Sequence, residues 1–370
     1  MDFICICASM MLRWMVSMGP YSGKGKPPNF GDYEAQRHWM EITTNLPLSK
    51  WYFFDVSYWG LDYPPLSAYH MLWCGKLAQI INPAWVALDT SRGFESFDHA
   101  IFMRSTVLIG DFICLIPAAL MIKREFGRMA MLGLLFNPCL ILVDHGHFQY
   151  NSVSLSLGII AACLVCSKRP LSDRCLGCVC FTLSLFYKQM QLYHAFPFFF
   201  ILLGHGWKKK TMGGFAFEVG LYGLSVLSTT VILLLPFLLT ANPSEQIIQL
   251  AHRLFPVARG LFEDKVSNVW CILHVAIKIK NIISPAYQLQ LATIITFFTA
   301  ILPCIKLLKD QSKEAMANAM ISSALAFFLF SFQVHEKHCL LFAIPAVLLL
   351  DVNLSSNLLL IHTTLFRFVQ

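Results

Sequence analysis

Charge is scarce in this chain. Only 13% of its 370 residues are charged, against 56% hydrophobic, and the mean hydropathy is +0.60. A soluble domain of that length needs far more charge to cover its surface, so that class is excluded. The strict apolar–polar alternation of a membrane barrel is also missing, which excludes strands as the spanning element. The net charge of +7 has no contiguous basic face behind it. Its residues come in short clusters such as Lys123-Arg124, Lys168-Arg169 and Lys208-Lys209-Lys210, so a nucleic-acid partner is not indicated. The thirteen cysteines are scattered through apolar runs. Cys175, Cys178 and Cys180 have no second cluster to complete a metal site and read as small hydrophobes. No internal repeat of the kind that builds many secondary transporters is visible. The apolar run Phe3–Val16 lacks a charged start and a small-residue cleavage site. It reads as a signal anchor or short first span in which Arg13 must snorkel or pair.

What is present is a succession of apolar runs. They predict an all-α polytopic membrane protein, a single transmembrane domain over 1–370 with about eleven spans. These lie near 3–18, 105–122, 129–143, 152–166, 175–187, 193–204, 214–239, 289–308, 315–332, 339–351 and 355–369. Basic clusters separate spans two and three, four and five, six and seven, and eight and nine. If these face the cytoplasm, the long loops 19–104 and 240–288 face the other side, as do 144–149, 187–192 and 333–338. Residues 266–283 are apolar enough to resemble a span, but a crossing there would invert the basic segment after it. An interfacial or re-entrant helix fits better, and the same holds for 66–81.

The unusual polar clusters fall on that one side. In Gly31-Asp32-Tyr33-Glu34-Ala35-Gln36-Arg37-His38-Trp39, a helix starting at Gly31 places Asp32 near its N-terminus, where a carboxylate stays ionised. Asp32 is then either a base able to receive a proton or an N-cap. In Trp59-Gly60-Leu61-Asp62-Tyr63-Pro64-Pro65 two prolines stiffen the entry to the next helix. The aromatics around it are sugar platforms or an interfacial belt. Asp144-His145-Gly146-His147-Phe148-Gln149-Tyr150-Asn151 holds an H-x-H pair, but imidazoles two residues apart diverge on a helix. Hydrogen bonding suits it better than a metal. Lys188, Arg259, Lys265, His335 and Lys337 supply cations at the membrane surface, where a lipid phosphate would need them or a snorkelling anchor would sit.

Several blocks of this sequence resemble the dolichyl-phosphate-glucose-dependent α-1,3-glucosyltransferase family. They are Gly25–Trp39, Trp59–Leu66, Gly146–Asn151, Arg259–Val266 and Phe332–Lys337, in order between Tyr21 and Leu341. The first block, with Gly60 and Leu66, is most similar to the enzymes that add the first glucose. The resemblance implies a class-C glycosyltransferase-like bundle with interfacial helices in the first lumenal loop, resident in the endoplasmic reticulum membrane, with a lumenal site. It implies an inverting transfer from dolichyl-phosphate-glucose to a nine-mannose dolichyl-diphosphate oligosaccharide, with no cofactor, no metal and no nucleotide-binding glycine loop. Asp32 would be the base. Substrate contacts would come from Glu34, Arg37, His38, Asp62, Tyr63, His147, Gln149, Lys188, Arg259, His335 and Lys337, with Asp62 at the acceptor or a nearby loop and His335, Lys337 and Arg259 at the donor phosphate. Family members continue beyond the apolar run in which Gln370 lies, so a shortened and inactive form is a further expectation. The rivals are the second glucosyltransferase or a mannosyltransferase of the same pathway, and a lipid or solute transporter. A transporter would bury charges at mid-membrane, where Asp111 is the clear acidic candidate.

Overall fold

The computed structural model describes residues 1–166, 169–255, 268–332 and 334–365, and every regular element among them is helical. In chain order these are α1 (Asp2–Ser17), α2 (Gly31–Asn45), α3 (Pro65–Ile81), α4 (Phe97–Gly110), α5 (Ile116–Phe126), α6 (Arg128–Leu135), α7 (Pro138–Ile141), α8 (Asn151–Val165) and α9 (Leu171–Tyr187). There follow α10 (Ala195–Trp207), α11 (Met212–Leu238), α12 (Pro243–Leu254), α13 (Val269–Ile277), α14 (Pro285–Ile301), α15 (Lys313–Phe330), α16 (Leu340–Val347) and α17 (Leu354–Leu365).

Among the described residues, helix makes up most of each apolar run. Among the described residues four stretches are long and apolar enough to cross a bilayer by length and composition: Phe97–Phe126, Arg128–Phe148, Met212–Leu238 and Pro285–Leu308. The first joins α4 to α5 through a π-helical turn at Asp111–Leu115. Asp111 there meets Arg13, whose Nη1 donates to Asp111 Oδ2 at 3.3 Å while Nη2 donates to the Leu135 carbonyl at 3.0 Å. Both side chains are fully buried. Arg13 therefore pairs rather than snorkels, as a charge inside an apolar bundle must. Within the apolar stretch near 266–283, the nine-residue α13 would rise only ~14 Å, too little to cross alone.

Among the described residues two large cores organise the molecule, beside a small third one around Trp270, Ile279 and Ala292. One lies among α5 to α10 and α15 to α17, around Leu140, Ile159, Met320 and Phe342. The other lies beneath the first long loop and includes Trp39, Trp51, Tyr52, Phe148 and Phe237. Trp51 and Tyr52 are thus packing residues of that loop rather than sugar platforms or a belt. Outside this core α3 leaves Trp73, Leu77 and Ile80 exposed along one side, the pattern of an interfacial helix. The basic connections converge at one end of the bundle. Lys123 and Arg128 reach Asp2, Arg169 and Lys313 reach Glu125 or its carbonyl, and Arg174 and Lys209 reach buried Glu218.

Candidate functional site

The site begins with the turn into α2. Gly31 has φ +67°, and a Cβ there would lie 2.7 Å from the Ser22 carbonyl oxygen, so glycine is required where the helix starts. Asp32 follows in the first turn, at the positive end of the helix dipole. At ~100° per residue Asp32 shares a face with Trp39, whereas Glu34, Arg37, His38 and Glu41 project from the far side. That rotation separates the expected cluster into two groups.

On the far side is a buried ion network. Arg37 Nε and Nη2 donate to the two Glu34 oxygens at 2.7 and 2.6 Å, and Nη2 also reaches Glu41 Oε2 at 2.7 Å. His38 lies 3.0 Å from Glu41 and 3.2 Å from Asp55, and Tyr58 donates to Glu34 at 3.1 Å. Burial opposes the charge on Glu41. The His38 hydrogen bond and the Arg37 guanidinium outweigh it, leaving its pKa at about 2. The structure thus sets Glu34, Arg37 and His38 into the packing of the loop and not beside Asp32.

Asp32 gathers residues from three other elements. His147 Nε2 and Gln149 Nε2 each donate to Asp32 Oδ2 at 2.8 Å, and Lys337 Nζ is ion-paired to the same oxygen. Among the described residues all three donors meet that one oxygen. Burial raises the Asp32 pKa, but the Lys337 ammonium and the His147 hydrogen bond outweigh burial and hold the carboxyl well below the usual range. The side chain is 22% exposed and that of His147 36%, so the group stands at an accessible mouth.

Local backbone geometry delivers these partners. Residues 142–148 form a π-helical segment closed by Phe148 at φ +85°. Asp144 then caps α8, accepting from Asn151 N at 3.0 Å and Ser152 N at 2.7 Å. The two imidazoles of His145-Gly146-His147 diverge. His147 reaches Asp32, while His145 Nε2 turns inward to Asp111 at 2.7 Å and its Nδ1 to Ser17 at 2.9 Å. Arg104 on α4 holds this segment by donating to the carbonyls of His145 and Gly146, at 2.6 and 3.2 Å. Lys337 comes from the 3-10 turn Glu336–Cys339, where its backbone N donates to His335 Nδ1 at 3.3 Å and Tyr193 meets His338 at 2.8 Å. His335 itself is exposed.

Lys188 follows α9 and is 2% exposed. Its Nζ donates to Gln149 Oε1 at 3.0 Å and Asn151 Oδ1 at 2.7 Å, and lies 4.7 Å from the Tyr63 ring centre. Burial pulls its pKa down to about 7, against the carboxylates of Asp144, Asp32 and Asp62. The Asp62 carbonyl meets Gln189 at 3.4 Å. Arg259 lies outside the described residues.

The structure therefore joins Asp32, His147, Gln149, Lys188, Lys337 and Tyr63 in one contact network. Residues missed by sequence reasoning belong to it or brace it: Asn151, Arg104 and Arg253. Arg253 on α12 donates to the carbonyls of Leu61 and Gly60 at 2.9 and 2.7 Å, just before Asp62. Gln246 and Gln249 on the same helix face reach the carbonyls of Ser49 and Tyr52. That 3–4 residue spacing of polar groups was the available signal. No group of three or more metal-ligating side chains occurs among the described residues. Chemically, the arrangement is an ionised carboxylate with oriented donors and a cation at its side.

A model for the ALG6, ALG8 glycosyltransferase family matches residues 9–368, beyond the Tyr21–Leu341 stretch in which the motifs are recognisable. The chain is 47% identical over 360 residues to the dolichyl pyrophosphate Man9GlcNAc2 alpha-1,3-glucosyltransferase of Gallus gallus, covering 94% of this chain and 69% of that protein. It is 47% identical over 361 residues to the protein of that name from Rattus norvegicus, with the same coverage. With that of Saccharomyces cerevisiae it shares 42% over 365 residues, covering 94% of this chain and 65% of the other.

Proposed function

Because the chain belongs to the ALG6, ALG8 glycosyltransferase family, we propose that it moves glucose from dolichyl-phosphate-glucose to the nine-mannose dolichyl-diphosphate oligosaccharide. The reaction takes place on the lumenal face of the endoplasmic reticulum membrane. Relatives at 41–47% identity that carry the name of this transferase support the acceptor and the linkage. Basic connections gathered at the end of the bundle away from Asp32 support the lumenal placement.

The observation that carries the mechanism is the Asp32 carboxylate, accepting three donors on Oδ2. The acceptor hydroxyl oxygen attacks C1 of the glucose as the C1–O bond to phosphate breaks. Dolichyl phosphate leaves with that electron pair, and the anomeric configuration inverts. The hydroxyl proton passes to Asp32 Oδ1, the oxygen not occupied by these donors. A carboxylate with so low a pKa accepts the proton late, once bond formation has made the hydroxyl acidic. Lys337 neutralises the departing phosphate and stabilises charge where it develops, a task the family resemblance also gives to His335 and Arg259. As the phosphate draws on Lys337, Asp32 becomes a stronger base at the moment it is needed. His147 and Gln149 hold the carboxylate in place, and Asp62 and Tyr63 form the acceptor side.

The test is to give purified protein dolichyl-phosphate-glucose with the nine-mannose acceptor and, separately, the singly glucosylated one. One glucose added to the nine-mannose acceptor is expected. Transfer to the glucosylated acceptor alone would assign the chain to the second step, and transfer to neither would refute the activity.

A further inference from the structure

Lys188 is too deeply buried to be an evident substrate contact, yet it sits at the centre of a polar chain that ends on the proposed base. The Lys188 amino group donates through its N–H bonds, and in its ammonium form it can only donate. Its two amide partners must therefore present their carbonyl oxygens to it: Gln149 Oε1 at 3.0 Å and Asn151 Oδ1 at 2.7 Å. Turning the oxygens inward turns both NH2 groups outward, and each then meets a carboxylate. Gln149 Nε2 donates to Asp32 Oδ2 at 2.8 Å, and Asn151 Nδ2 to Asp144 Oδ1 at 2.7 Å. One cation between the two amides, with a carboxylate beyond each, thus fixes their orientation.

The support for Lys188 comes back to α2. Its Nζ lies 4.7 Å from the Tyr63 ring centre, and Tyr63 packs on Trp39 at 4.8 Å. Trp39 stands two turns along the helix face that carries Asp32. Asp32, Gln149, Lys188, Tyr63 and Trp39 therefore form a chain of contacts that leaves α2 at Asp32 and returns to it at Trp39, through the segment before α8, the segment after α9 and the first loop.

We propose that Lys188 is a positioning residue, whose task is to lock the Gln149 amide so that its NH2, and never its carbonyl, faces Asp32. The inference rests on the reading of Asp32 as the base. Without the ammonium the Gln149 carbonyl loses its donor, only the Asp32 carboxylate is left to orient the amide, and the NH2 is held less firmly against the base. Lys188→Met keeps the length and the packing on Tyr63 and removes only the donors.

The experiment is a double-mutant cycle of Lys188→Met, Gln149→Leu and their combination in the full chain. It measures kcat and KM for dolichyl-phosphate-glucose and the nine-mannose acceptor across pH, with Asp32→Asn alongside. Lys188→Met should lower kcat ~10- to 100-fold, the size of losing one hydrogen bond to a charged group. Both KM values should stay within about threefold on the same argument. The unmodified protein should lose rate as Lys188 gives up its charge above its pKa of about 7, and Lys188→Met should lack that limb, while His147 and Lys337 still keep Asp32 ionised. The double variant should be no worse than Gln149→Leu alone, because Lys188 acts through that amide. A raised donor or acceptor KM at unchanged kcat would make Lys188 a substrate contact and overturn the proposal. Fully additive losses, or a general loss of monodisperse protein in Lys188→Met with that limb still present in what remains, would reduce it to a packing role and overturn it as well. Turnover persisting in Asp32→Asn would instead remove the base itself, a different failure from any shown by the Lys188 cycle.

Discussion

Lys337→Met separates the two duties assigned to that lysine. Its Nζ is ion-paired to Asp32 Oδ2, and the two side chains are 10% and 22% exposed. Solvent therefore screens the pair only in part. A charge-assisted hydrogen bond of this kind contributes ~1.5–3 kcal/mol. Its loss should raise the Asp32 pKa toward the ordinary carboxylate range. The sign follows from the causes. Burial already pushes this carboxyl up, and Lys337 is the strongest influence holding it down, ahead of His147. With Lys337 gone, a larger share of Asp32 is protonated at any given acidic pH, so the acid limb of kcat/KM moves to higher pH. The leaving phosphate also loses a cation, so at pH 7 transfer should fall ~10- to 100-fold even where Asp32 is ionised. The assay is initial-rate glucosyl transfer to the nine-mannose acceptor from pH 9 down to the lowest pH at which a thermal melt still shows folded protein, with detergent fixed. A uniformly lower profile with an unmoved acid limb would refute the ion pair as a determinant of Asp32 basicity. An unchanged rate at neutral pH would refute the phosphate role.

Other outcomes follow from the surrounding packing. Arg37→Ala leaves Glu34 and Glu41 buried without their cation, which costs ~3–5 kcal/mol. The protein should lose its cooperative thermal transition rather than show only a raised KM. Arg253→Ala removes two hydrogen bonds to the carbonyls before Asp62 and should lower the melting temperature in proportion to ~1–3 kcal/mol. Acceptor KM should rise more than donor KM, as kinetics with each substrate varied in turn will show. Gly31→Ala forces a side chain into a φ of +67° and against the Ser22 carbonyl, a strain of at least ~1 kcal/mol. Because that residue aims Asp32, kcat should fall along with stability in a combined melt and turnover measurement.

Much of the scaffold was legible in the sequence because a bilayer imposes simple rules. Apolar runs mark helices by composition alone, and the clusters at Lys123, Arg169, Lys209 and Lys313 do gather at one end. Arg13 and Asp111, read as separate oddities, prove to be one pair, a contact across 98 residues that no local pattern encodes. Asp32 stood out through its place after Gly31. Sequence proximity, however, grouped it with Glu34, Arg37 and His38, which the helical rotation sends to the other face. Its partners arrive instead from 115, 117 and 305 residues away. One-sided topology predicted that those segments share a face of the membrane but not which atoms meet. The H-x-H divergence was readable from helix geometry, whereas the π-helical turn that aims His147 was not. α12 lies inside a long loop, and its polar stripe leaves no apolar run to mark it.

The central claim is that Asp32 takes the proton from the acceptor hydroxyl. Single-turnover transfer by Asp32→Asn, with dolichyl-phosphate-glucose affinity measured on the same preparation, tests it most directly. The account predicts a ~10²- to 10⁴-fold slower transfer with donor binding retained and the thermal transition intact. Transfer at a rate near that of the unmodified protein would contradict it.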